Sequence, residues 1–228
     1  MPLEPFGPSF YLAEGRPVSF YGFPYPTRMA VAKLASGGLW IWSPISLTAE
    51  LGEAIDRLGP VQFIVSPNKL HHLFLADWAL RWPAAHLFAP PGLASKRSDL
   101  KFSGELSDGA QPGWSSDIDQ AVFSGSFFLT EVVFFHRPSR SLIVGDLIQR
   151  FEPSMAHGWK GWLMRLDGLV GDRGSTPREW RASFLHRAPA REARAKVLGW
   201  LPERLVVAHG RCAPAQAASI VKEALAWI

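Results

Sequence analysis

The apolar positions fall into short runs separated by strong turn signals. Met29–Ala35 and Leu39–Trp42 are two such runs on either side of Ser36-Gly37-Gly38. A glycine-bearing loop of that length between apolar runs predicts a β-hairpin. Next, Leu51, Ala54, Ile55 and Leu58 recur at helical spacing, so a helix is expected from a Ser46 cap to about Leu58, where Gly59-Pro60 stops it. Val61–Val65 reads as a buried strand and Leu70–Trp82 as a second helix. His86–Ala89 is a further strand, ended by Pro90-Pro91. Residues 103–116 are polar and glycine-rich and read as loop. Strands are expected at Ala121–Phe123, Glu131–His136 and Arg140–Val144, the last two joined by the turn Arg137-Pro138-Ser139. Phe151–Arg173 mixes tryptophans with glycines and predicts an irregular or helical insertion. Thr176 followed by Pro177 looks like a capped helix start. A helix over Ala190–Trp200, a strand over Arg204–Ala208 and a closing helix from Pro214 to Trp227 complete the chain. Strands and helices do not alternate regularly, which argues against a simple Rossmann or barrel fold. The pattern instead predicts one α/β domain over residues 1–228, with sheets inside and helices outside.

Composition changes this picture little. The chain has 228 residues, 47% of them hydrophobic, enough for a sizeable core. Its one cysteine, Cys212, rules out an intrachain disulfide and suits a reducing compartment, so a cytoplasmic location is expected. The opening MPLEPFGPSF carries Glu4 and no apolar run, so no signal peptide is expected there. No stretch is long and apolar enough for a membrane-spanning helix, and no membrane partner is expected. The net charge of +4 comes with arginines spread from Arg165 to Arg211, but Glu179, Glu192 and Glu203 are interspersed. That reads as a solvated surface rather than a nucleic-acid-binding face, and a nucleic-acid partner is not expected. The ten tryptophans are read mostly as core residues rather than the lining of an aromatic cleft.

Three predicted strands end in chemistry-bearing residues. Ser66-Pro67-Asn68-Lys69-Leu70-His71-His72 follows Val61–Val65, Gly145-Asp146 ends the hairpin, and His209-Gly210 ends the last strand. A rigid sheet fixes side chains at such ends while loops leave room for a ligand. Together these motifs resemble the metallo-β-lactamase superfamily, from about Ala30 onward. That family carries a Thr-His-x-His-x-Asp-His turn, a later strand ending Gly-Asp and a Gly-His-Gly-type turn. The chain looks most similar to an uncharacterised branch with a degenerate first motif, where Pro-Asn-x-x-His-His replaces it. The resemblance implies a four-layer αββα sandwich.

The resemblance also implies a metal site, here altered. Pro67 and Lys69 stand where two first-metal histidines belong, and Phe127 where a third does. His72, Asp146 and His209 match second-metal ligands, and His71 replaces an aspartate with a residue that can still coordinate. One divalent ion, zinc or iron, is therefore the expected cofactor, with none if the site is degenerate. Neighbours on an extended segment point apart, so His72 is expected to face the cleft. His71 is either a further ligand or a hydrogen-bonding support. Lys69 is either an ammonium that neutralises Asp146 in place of the first ion or a solvated surface lysine. Glu131, roughly opposite Gly145, is either an extra cleft carboxylate or solvent-facing. His136 lies about 17 Å along its strand from the Asp146 end, at ~3.3 Å per residue, and is not expected to be a ligand. His157, His186 and Cys212 suggest packing or surface roles.

Two functions follow as expectations. In the first, a single-metal hydrolase acts on a small-molecule ester, thioester, lactone or phosphoester, with Asp146 and Lys69 as catalytic groups. In the second, the fold is a catalytically inactive scaffold for binding or regulation. A nucleic-acid-processing role rests on positive charge alone.

Overall fold

The computed structural model describes residues 2–20 and 22–228. It is built on two sheets. The first is seven-stranded, in spatial order β1 (Glu4–Gly7), β2 (Phe10–Phe20), β3 (Phe23–Lys33), β4 (Leu39–Trp42), β5 (Val61–Val65), β6 (His86–Ala89) and β7 (Gly104–Glu105). The second is four-stranded, in the order β11 (Arg204–Val207), β10 (Ser141–Val144), β9 (Glu131–His136), β8 (Ile118–Phe123). Pairing is antiparallel from β1 to β4 and parallel from β4 to β7. In the second sheet only β10 and β11 run parallel.

Helices cover both outer faces, and side-chain parity shows why. Along β3 and β4, Met29, Val31, Leu39 and Ile41 pack outward with Leu51 and Ile55 of α1 (Ala49–Leu58) and with Leu75 and Trp78 of α2 (Leu75–Arg81). Leu93 of α3 (Leu93–Lys96) joins that layer. The alternate positions Ala30, Ala32, Trp40 and Trp42 face inward, against Val132, Phe134, Ile143 and Val206 of the second sheet. The outer face of that sheet, with Val133, Leu142, Val144 and Leu205, is covered by Trp180, Val197 and Val221. Those three lie on α5 (Arg178–Ala182), α6 (Ala188–Gly199) and α7 (Ala217–Ala224). This is the expected αββα layering. It also explains why β9 and β10 are buried at every position: both faces of the sheet are covered. Among the described residues, no helix is long and apolar enough to cross a membrane.

Several boundaries differ from expectation for local reasons. Thr48, not Ser46, caps α1, its hydroxyl accepting from the Leu51 amide at 3.3 Å. The second helix begins at Leu75 rather than Leu70, because Pro67–Phe74 is spent on turns. Thr176 does not cap α5; its hydroxyl donates to the Leu147 carbonyl at 2.6 Å, leaving Pro177 at the cap. Residues 151–173 contain a 3-10 turn and one helix, α4 (Gly158–Leu166), as an irregular or helical insertion should. The N-terminal strands β1 and β2 were outside the predicted pattern, as was the two-residue β7 within 103–116.

Candidate functional site

Parallel pairing of β4 with β5, and of β10 with β11, brings the C-terminal ends of these strands together. Ser43, Ser66–His71, Asp146 and His209 follow those ends directly. They meet at a cleft of about 240 Å³, lined in part by Ser43, His71, His72, Asp146, Gln149 and His209.

Asp146 is the centre. Its Oδ1 lies 3.1 Å from His209 Nε2, and its Oδ2 lies 3.3 Å from His71 Nε2. The Asn68 amide donates to Oδ2 at 2.9 Å and Gln149 to Oδ1 at 3.4 Å. Burial opposes charge on this carboxylate, but the hydrogen bonds and charge of His209 and His71 more than reverse that. They hold it well below the usual carboxylate range.

The turn after β5 decides which histidine enters. Ser66 Oγ lies 2.8 Å from both the Asn68 and His71 carbonyls, and Asn68 Oδ1 accepts from the Leu70 amide at 2.8 Å. This tight wrap turns His71 inward, where its Nδ1 meets Ser43 Oγ at 2.7 Å. His72 does face the cleft, as expected, but the expectation that it is a ligand is corrected: its Nδ1 lies 3.3 Å from the Arg97 guanidinium, and it is His71 that joins Asp146. Burial, then the charges of Lys96 and Arg97, push the His72 pKa down.

His209 is held by the opposite sheet. Its Nδ1 lies 2.7 Å from the Pro26 carbonyl, which can only accept, so Nδ1 carries a hydrogen. A neutral ring would then aim an Nε2 lone pair at Asp146 Oδ1. That contact is favourable only when a proton or a cation lies between them. Gly210, at φ +103°, lets the chain turn against the Arg150 backbone, where a Cβ would sit 2.1 Å from the Arg150 oxygen.

Lys69 is the second correction. It makes no ion pair with Asp146; its Nζ lies 5.8 Å above the Phe128 ring. Asn68 takes the place imagined for it, donating to Asp146 and, at 2.8 Å, to Glu131 Oε2. Glu131 is fully buried behind the site, neither at the cleft nor in solvent. It accepts from the Gly145, Asp146 and Leu147 amides at 2.8, 2.7 and 3.2 Å, clamping the loop that presents Asp146. Burial, followed by the charge of Asp146, raises its pKa to about 7.

His136 is buried beside Ser139 and Phe10 at the turn end of β9, away from the cluster. His157 and His186 are exposed, and Cys212 sits under Val207. Ser43, Gln149 and the Pro26 carbonyl were missed in the sequence. For Ser43 a signal existed: it follows the apolar run Leu39–Trp42 just as Asp146 and His209 follow theirs.

His71, Asp146 and His209 offer three ligand atoms within 4.8 Å of one another. Imidazole nitrogens and a carboxylate suit zinc or iron, and three protein ligands leave a coordination position open. The donor set therefore fits one divalent ion.

Solved structures share this architecture. The chain resembles a DIM-1 metallo-β-lactamase exposed to ceftazidime, with TM-score 0.65 and 14% identity over 98% of this chain and 95% of that one. It resembles a metallo-β-lactamase from Pontibacter korlensis at TM-score 0.65 and 11% identity, over 99% and 97%. A third, from Hirschia baltica, aligns at TM-score 0.64 and 13% identity, over 99% and 96%. The protein thus has the metallo-β-lactamase fold. Residues 19–158 match a family described as a domain of unknown function, DUF4336, and the chain belongs to that family. No curated protein matches it in sequence.

Proposed function

We propose that the cleft is a single-metal centre, held by His71, Asp146 and His209, that hydrolyses a small-molecule ester, thioester, lactone or phosphoester. The observation that carries this reading is the paired approach of two imidazole Nε2 atoms to one buried carboxylate, with His209 Nδ1 already committed to Pro26. Ser43 at His71 Nδ1 and Pro26 at His209 Nδ1 are the outer partners that orient metal-binding imidazoles. When bound, a divalent ion supplies Lewis acidity, making water a better nucleophile near neutral pH and polarising the substrate oxygen. The chain's own part is to orient the ligands and hold Asp146 ionised. Glu131 and Asn68 fix the carboxylate, and the apolar cleft walls exclude bulk water. Lys69 has no place in this chemistry. The single cysteine supports a cytoplasmic setting.

A second reading is an inactive scaffold, supported by the Asn68 and Gln149 amides, which donate to the two oxygens of Asp146. Elemental analysis and zinc titration by calorimetry separate the two. The hydrolase reading expects one equivalent of metal, lost in His71→Ala and His209→Ala and kept in His72→Ala. It also expects turnover of at least one of the four substrate classes by loaded protein. Absence of zinc binding in a folded protein would leave the scaffold.

A further inference from the structure

His72 and Lys96 line the same cleft as the candidate metal centre but belong to none of its hydrogen bonds. Arg97 Nη1 donates to the His72 carbonyl at 2.8 Å and meets His72 Nδ1 at 3.3 Å. A guanidinium only donates, so Nδ1 acts as the acceptor and the ring hydrogen sits on Nε2. Among the described residues that Nε2–H has no partner. Lys96 Nζ donates to the Lys69 carbonyl at 3.0 Å, and two of its three hydrogens are left over. Asp99 binds Arg97 through both oxygens, at 2.8 and 2.7 Å, so the local acid is spent on the guanidinium. No carboxylate pairs with Lys96 or Lys69 among the described residues, and Lys69 and Arg97 both bear on Lys96 electrostatically. The rest of the lining is mixed: Val18, Leu70, Phe74, Phe128, Leu129 and Pro177 form its apolar part, and Thr27, Arg28 and Glu179 also reach it.

We infer that His72 Nε2–H and the Lys96 ammonium form an anion-binding subsite, so that the cleft selects molecules with an apolar body and a carboxylate or phosphoryl group. Applied to the substrate, this rests on the hydrolase reading above. As a binding site it stands without metal. A solvated lysine alone would carry no such inference. The specificity comes from a fixed imidazole donor and a cation without a carboxylate partner on one concave, largely apolar surface, a combination that buries the molecule's apolar body while pairing its charge.

The test is calorimetry on the full chain, both chelator-treated and zinc-loaded, with three matched probes: 4-phenylbutyrate, 4-phenylbutylphosphonate and the uncharged 4-phenylbutyramide. At least one acid should bind about tenfold or more tighter than the amide in both metal states. The tighter acid identifies the favoured anion. Lys96→Met and His72→Phe should reduce acid binding to the amide's level and leave amide binding unchanged, while Lys222→Met on α7 keeps the preference. Equal affinity for acids and amide overturns the subsite, as does a preference that survives Lys96→Met. A preference seen only with zinc and indifferent to Lys96 also overturns it, while supporting the metal centre. A preference intact in chelated protein that binds no zinc keeps the subsite and removes the hydrolase.

Discussion

Acid should destabilise this fold through His136 before it acts on most carboxylates. The ring is buried between the sheets, stacked on Phe10 at 4.9 Å between centroids. Ser139 Oγ donates to Ser141 Oγ at 2.8 Å, so His136 Nδ1, 2.7 Å from Ser139 Oγ, supplies the hydrogen of that contact. Nε2 is then a buried lone pair without a partner, and protonating it would create an unpaired buried cation. Burial lowers the His136 pKa from 6.5 to about 4, with Asp117 opposing weakly. The unfolded chain therefore binds a proton that the folded chain refuses. Stability is full above 6.5, falls as pH drops through 6.5 towards 4, and loses nothing more from this group below that. At about 1.36 kcal/mol per pKa unit the total is about 3 kcal/mol, with about 2 kcal/mol gone by pH 5. Urea denaturation of wild type and His136→Phe between pH 4 and 7.5 measures it. The variant keeps the ring stack, and Ser139 keeps Ser141. Other groups titrate equally in both proteins, so the difference between the two curves isolates His136. Parallel curves would refute the reasoning. The variant should also match the wild type in metal content, because His136 lies at the far end of β9.

Other expectations follow from the same contacts. Asn68→Ala removes one of two contacts from Glu131 Oε2, which keeps the Asp146 amide, and one from Asp146 Oδ2, which keeps His71, and should cost about 1–3 kcal/mol by denaturant titration; an unchanged midpoint would show that the amide is dispensable. Lys69→Met should change stability by less than about 1 kcal/mol and leave zinc stoichiometry unaltered, because its ammonium reaches Phe128 and not Asp146. Ser43→Ala should weaken zinc binding about 10–100-fold by competitive chelator titration while preserving one site, since it removes only the partner of His71 Nδ1. Gly210→Ala should destabilise by more than about 2 kcal/mol, whereas Gly37→Ala, also at positive φ but facing open space, should cost only about 1 kcal/mol; equal losses in thermal melts would contradict the backbone clash.

What could be read from the sequence was what apolar periodicity controls. The exact spans of β9 and β6 and the position of β4 follow from compact apolar runs with firm turn signals. The β2 strand, FYLAEGRPVSF, was not legible because glycine, arginine and proline interrupt its alternation; its eleven residues are held by pairing with β3 along their length and with β1 at the N-terminal end. The helix start after β5 was misplaced for a similar reason. Leu70–Phe74 has helical composition, but Ser66 and Asn68 bind the backbone of the turn and keep it from winding.

The site was legible as a set of strand ends and illegible as a choice between neighbours. Alignment by motif makes His72 the ligand because it matches a final histidine; the motif contains Asn68 but not what its side chain binds. Asn68 bridges Asp146 and Glu131 and so ties the turn to the carboxylate. His71, three residues on, then falls beside the carboxylate. The same anchor explains Lys69. Asn68 and Gln149 already donate to the two oxygens of Asp146 and two imidazole Nε2 atoms stand beside them, which leaves no contact there for an ammonium. In place of the expected Lys69–Asp146 pair stands a turn in which Asn68 supports the carboxylate, His71 joins the cluster, and His72 faces the cleft beside Lys96.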